Sequence, residues 1–93
     1  MHAIVAHVTI DPTRINEAEQ QLHELVVPTV KGAKGFFSGI WTQSDDGRGV
    51  GFTTWESEED AQAFVVQWQS MERPADSPVT LDSMDVYRVV ATA

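Results

Sequence analysis

The side chains able to do chemistry in this sequence are few. Imidazole exchanges protons near neutral pH, and the chain has three histidines, His2, His7 and His23. His7 falls in the middle of an apolar run, where it reads either as a reactive group or as a packed or interface histidine. His2 stands near an end expected to fray. His23 lies beside the apolar stripe of its helix, next to Glu19 and Glu24, and is expected to be solvated. No two histidines have ligand spacing on a helix, and nothing resembles a zinc site. Arg88 sits among apolar neighbours, where a charge needs a partner. An acid, across a dimer or within the chain, is favoured over an anionic group of a ligand. Phe64 and Trp68 lie one turn apart on a helix, and Trp41 and Trp55 lie on strands. Such aromatics either flank a flat ligand or hold a helix to a sheet, and at helical spacing the second role is the commoner. The absence of cysteine excludes disulfides, thiolate metal sites and cysteine nucleophiles. Gly47-Arg48-Gly49 joins two strands, so it is no phosphate loop.

The elements that must position these residues can be read from pattern and punctuation. His2–Ile10 is rich in Val, Ile and Thr and reads as a strand. Asp11-Pro12 is a helix start: Asp accepts an orphan N–H and Pro has none to satisfy. Ile10 and Ile15 have the spacing of a hydrophobic staple. Ile15, Ala18, Leu22, Leu25, Val26 and Val30 then form one helical stripe. Pro28 lacks an N–H and clashes with the carbonyl of Glu24, which predicts a kink or an end. Residues 31–35 are a turn, Phe36–Ser44 a strand, 45–49 a hairpin loop and Val50–Glu56 a third strand. Ser57-Glu58-Glu59-Asp60 is a variant capping box. Ala61, Phe64, Val65 and Trp68 form the second helical stripe, which Arg73-Pro74 is expected to stop. A polar loop over 74–82 leads to a last strand, Ser83–Ala91. The order β-α-β-β-α-β predicts one α+β, ferredoxin-like domain over 1–93, a four-stranded antiparallel sheet with two helices on one face.

Both faces of these strands are apolar. Phe37 and Trp41 are expected to oppose Phe36 and Ile40. Val50 and Phe52 oppose Trp55, and Met84, Val86 and Val90 oppose Tyr87 and Val89. Two helices cover one face only. The other would be a large bare apolar patch, and a second copy of the chain packed sheet to sheet is the economical cover. The pattern therefore predicts a homodimer. Strict alternation from Ile10 puts His7 on the face away from the helices, unless a bulge reverses it.

Composition bounds the partners. Six basic against fourteen acidic residues leave a net charge of −8. Such a chain repels phosphate backbones and anionic lipid, so neither nucleic acid nor a membrane is an expected partner. The apolar first ten residues have no basic flank or cleavage site and about half the length of a span. The expected location is the cytoplasm.

Pro28-Thr29 followed by Gly35-Phe36, the acidic hairpin Asp45-Asp46-Gly47, then Trp55-Glu56-Ser57-Glu58-Glu59-Asp60-Ala61 and Ala63-Phe64, carry a likeness over almost the whole chain. The sequence resembles the antibiotic biosynthesis monooxygenase family of dimeric α/β barrels. That resemblance implies the fold and dimer argued above. It also implies either cofactor-independent oxygenation of polycyclic aromatic or quinol-type substrates, or haem degradation. It places His7 where haem degraders carry a pocket asparagine, five residues before the helix-opening proline, and so as a general base or hydrogen-bond partner of substrate. It places Phe64 where they carry a pocket tryptophan. The sequence departs from them over Gln69 to Asp82, which contains no histidine to ligate iron. No flavin or metal motif is present, and no cofactor is expected. The expected site is His7 as base, Phe64 and Trp68 as walls, and Trp41 and Arg88 as further contacts to a small aromatic ligand. The alternative is a non-catalytic dimeric binding module.

Overall fold

The computed structural model describes residues 1–71 and 76–93. Four strands, β1 (His2–Ile10), β2 (Phe36–Gln43), β3 (Arg48–Trp55) and β4 (Val79–Arg88), form one antiparallel sheet in the order β2-β3-β1-β4. This is the ferredoxin-like arrangement that the element order predicts. Among the described residues no helix is long and apolar enough to cross a membrane.

The helices begin as their punctuation requires. The Asp11 carboxylate accepts from the Thr13 amide at 2.9 Å and from its hydroxyl at 2.7 Å, capping a short 3₁₀ turn, Pro12–Arg14. These hydrogen bonds to Thr13 hold the Asp11 carboxyl below the usual carboxylate range. Ser57 caps the last helix, α3 (Glu58–Ser70), by accepting from the Asp60 amide at 3.1 Å. Glu58, Glu59 and Asp60 then face the positive end of that helix.

The first helix differs from expectation. It neither ends nor breaks at Pro28 but stays helical over 15–31, as α1 (Ile15–Gln21), a π-helical turn (Leu22–Val26) and α2 (Val27–Lys31). The Val27 amide bonds the Leu22 carbonyl, five residues back. One wide turn thus absorbs the crowding of the proline ring and its missing donor. The Thr29 hydroxyl takes the Leu25 carbonyl at 2.6 Å, satisfying a group near the wide turn.

Two bulges correct the strand reading. Phe36 pairs with Trp55 but Ser38 with Thr54, leaving Phe37 as an extra residue. Parity shifts there. Phe36 and Trp41 therefore share the helix face, while Phe37 and Ile40 point away, each 64 % exposed. A second bulge in β4 lies opposite His7 and Val8, where Asp82 is the unpaired residue. It carries β4 back to Val79, so much of the expected loop over 74–82 is strand. Arg73 and Pro74, expected to stop the second helix, lie outside the described residues; that helix, α3 (Glu58–Ser70), ends just before them. His2, expected to fray, is paired on both sides, with Trp55 and Arg88.

The core lies between the sheet and α3. Trp55 is fully buried, 4.9 Å centroid to centroid from Phe64 and 5.6 Å from Phe36. Its indole N–H donates to the Thr53 hydroxyl at 2.9 Å, so this buried donor is satisfied. Phe64 in turn stacks on Trp68 at 6.0 Å.

Candidate functional site

Beside that core, the inner face of the sheet and the first helix part to leave a cavity of about 490 Å³. Alternation supplies its floor: Ile4, Ala6, Val8 and Ile10 project from β1, and Leu81 and Met84 line it from β4. Phe64 and Trp68 close one end from α3. Ala18, Leu22, Val26 and Val30 form the roof.

The room exists because small residues lie under Trp41. A Cβ on Gly39 would come within 2.6 Å of Trp41 Cη2, and one on Gly51 within 3.0 Å of its Cδ1. Gly51 stands in register with both Trp41 and Ala6. The indole therefore lies flat across two glycines and presents a face to the cavity rather than filling it. The pairing of Gly39 with Trp41 two residues on was visible in the sequence; the register that adds Gly51 was not.

Two hydrogen bonds fasten the first helix at the cavity's edges. Gln43 Nε2 donates to Glu19 Oε1 at 2.8 Å, tying β2 to α1. The Ser77 hydroxyl donates to Gln21 Oε1 at 3.1 Å, tying the approach to β4 to the same helix. Near it, Arg14 holds Asp76 through its backbone carbonyl at 2.8 Å and its carboxylate at 3.2 Å, and pairs with Glu17 as well. The Glu17 carboxylate, foremost, raises the guanidinium's affinity for its proton. Glu19, Gln21, His23, Gln43 and Ser77 all line the cavity. Sequence reading missed this polar rim: Glu19, Gln21 and His23 flank the apolar stripe, and Gln43 and Ser77 reach the wall from other parts of the chain.

The structure brings Trp41, Phe64 and Trp68 together around one space and leaves His7 and Arg88 outside it. His7 is exposed on the outer face, in register with Val50 and Ser83, as strict alternation predicts. Arg88 is exposed at the end of β4, cross-strand from His2, and makes no ion pair among the described residues, where an acid partner was favoured. His2 Nε2 lies 3.4 Å from Glu58, and its buried Nδ1 has no partner. His23 is solvent-exposed as expected, yet it also lines the cavity. No group of metal-ligating side chains occurs among the described residues.

A family profile, antibiotic biosynthesis monooxygenase, matches residues 1–72. The chain belongs to that family. Solved structures with the same fold include the heme-degrader MhuD from Mycobacterium tuberculosis, with two hemes bound in its active site. It is 19 % identical, with 100 % of this chain and 99 % of that one covered and a TM-score of 0.75. SnoaB, a cofactor-independent oxygenase from Streptomyces nogalater, is 11 % identical over 98 % of this chain and 94 % of its own, with a TM-score of 0.64. The ActVA-Orf6 monooxygenase of Streptomyces coelicolor, in complex with nanaomycin D, is 18 % identical over 99 % and 91 %, with a TM-score of 0.55. At these identities the likeness shows the fold. No curated protein matches the chain.

Proposed function

We propose that this protein works as a homodimer that takes a small, flat, quinol-type aromatic into the cavity and oxygenates it without a resident cofactor. The observation that carries the reading is the cavity itself, with Trp41, Phe64 and Trp68 around an apolar space and a polar rim at one edge. An electron-rich aromatic that loses a proton can give electrons to oxygen directly. With a quinol, one oxygen atom enters the ring as a hydroxyl, the other leaves as water, and a hydroxyquinone is formed. The protein's part is to hold the ring and stabilise its anion. SnoaB, a cofactor-independent oxygenase, and ActVA-Orf6, a monooxygenase that binds the small molecule nanaomycin D, agree with this chemistry.

The dimer is supported by the outer face of the sheet, where Phe37, Ile40, Phe52 and Tyr87 are exposed together. His7 belongs to that face in this reading, as an interface histidine rather than a base.

The heme-degrader MhuD holds two hemes in its active site, so the wall must be tested for haem. Among the described residues it offers one imidazole, His23, on the first helix. The segment 69–82 offers none. That does not fit the ligand placement of the haem degraders, and no step is routed through haem. Oxygen uptake with naphthohydroquinone, corrected for its spontaneous oxidation, tests the reading. Enzyme-dependent uptake with a hydroxynaphthoquinone product supports it, and tight binding without uptake would leave a binding module. A stoichiometric hemin complex lost in His23→Gln would overturn the cofactor-free reading.

A further inference from the structure

Among the described residues the cavity wall holds two titratable side chains, Glu19 and His23, four residues apart on the first helix. They are not equivalent. Glu19 is engaged by Gln43 at 2.8 Å, whereas His23 makes no hydrogen bond or ion pair with any described residue. The other two imidazoles are placed elsewhere, His2 beside Glu58 and His7 on the outer face. The lining that the rest of the chain contributes includes Thr42, Gln43, Thr53 and Ser77, and among the described residues none of it is ionisable.

The backbone gives this histidine its position. Ala18, Leu22, Val26 and Val30 recur in steps of four, and a regular α-helix would rotate such a row by about 40° at each step, away from the sheet. The wide turn over Leu22–Val26 takes up part of that rotation. Leu22, Leu25 and Val26 stay against the cavity, and the flanking His23 is carried to its wall. The cause lies five residues on, at Pro28. The wide turn thus sits where the cavity has its one unengaged imidazole among the described residues.

We infer that His23 is the proton acceptor of the cavity, taking the hydroxyl proton of a phenolic or quinol ligand whose ring lies against Trp41, Phe64 and Trp68. The ligand's O–H bond breaks, its electron pair stays on the phenolate oxygen, and the proton goes to an imidazole nitrogen. The imidazolium then donates to the phenolate, while Gln43 keeps the Glu19 carboxylate occupied. This rests on the aromatic-ligand reading above.

Two probes separate the claims. 7-Hydroxycoumarin reports its own ionisation in its excitation spectrum; 7-methoxycoumarin has the same ring and no proton to give. Both should bind the intact protein. The hydroxy dye should appear as phenolate at a bulk pH where the free dye is protonated. His23→Gln should abolish that phenolate signal and weaken the hydroxy dye about tenfold, the loss expected for one hydrogen bond to a charged group. The methoxy dye should change by less than about twofold, as for a site it does not touch. An unchanged melting temperature and circular dichroism spectrum of the variant would show that its fold is intact. If both dyes bind and His23→Gln alters neither, this inference fails and the aromatic-binding reading stands. If neither dye binds the wild type, that reading fails and the inference with it.

Discussion

The two faces of the sheet are built from the same strands and do opposite things with volume. On the inner face the central positions are Gly39, Gly51 and Ala6, with Gly49 beside them. On the outer face their chain neighbours are Ile40, Phe52, Val50 and Val5. An ordinary one-sided sheet puts its bulk inward and leaves small or polar residues outside. Here small residues cluster at the middle of the inner face, beside the core around Trp55, while large apolar side chains stand outside. That inversion makes the cavity, and it also leaves the outer face needing a cover of its own. An open inner space and an exposed apolar outer face follow from one alternation.

The largest expected effect breaks the outer face alone. Phe52→Asp puts a carboxylate at its centre, twice per symmetric interface. With about 1.5–3 kcal/mol per buried Phe side chain, dimer dissociation should rise by at least about two orders of magnitude. Sedimentation at micromolar concentration should show about twice the chain mass for the wild type and single chains for Phe52→Asp. A wild-type monomer would remove the dimer.

The complementary change breaks the inner face alone. Gly51→Val puts a branched side chain against Trp41 Cδ1 and Nε1, already within about 3 Å of a bare Cβ. Overpacking of this kind costs on the order of 1–3 kcal/mol. The melting temperature should fall, ligand binding should be lost, and the dimer should persist. Retained binding would mean that the cavity is not the site.

His7→Ala sharpens the assignment of the histidines. Because His7 stands on the outer face, affinity for a cavity ligand should change by less than about 0.5 kcal/mol, and the effect should fall on the dimer. Loss of turnover with an unaltered dimer would restore His7 as a base.

The smallest effect concerns neither face but the turn that joins β1 to the first helix. Asp11 has a lowered pKa, so its capping contribution is present above its ordinary titration range and fades as pH falls through the depressed value. Asp11→Asn keeps a cap without the charge. Melting temperatures measured down the acid range should show a slightly shallower decline for Asp11→Asn than for the wild type.

The chain order and the caps were legible because they depend on local chemistry: Asp11-Pro12, the Ser57 box and the alternation of His2–Ile10 each act within a few residues. What was not legible depends on one extra residue. The bulge at Phe37 brings Phe36 onto the face of Trp41, which simple alternation would oppose to it, and no neighbouring residue announces it. The bulge at Asp82 hid the first half of β4 in the same way. Pro28 predicts a kink or an end from local sterics alone; the π-helical turn before it is what the folded chain adopts instead. The aromatics of the cavity were found by type, whereas Glu19, His23 and Gln43 were passed over. Their role comes from cross-element distances that a stripe along one helix does not encode.

The three tryptophans give the molecule an optical consequence. Trp55 is sealed in the core, while Trp41 and Trp68 line the cavity, and Trp68 stacks on Phe64, which in turn packs on Trp55. Emission from the chain is therefore the sum of one shielded indole and two that face any occupant. A quinone entering the cavity would accept electrons from the excited states of the two facing indoles first. It would leave a residual, blue-shifted spectrum belonging to Trp55. Occupancy could then be followed by light alone, without a label.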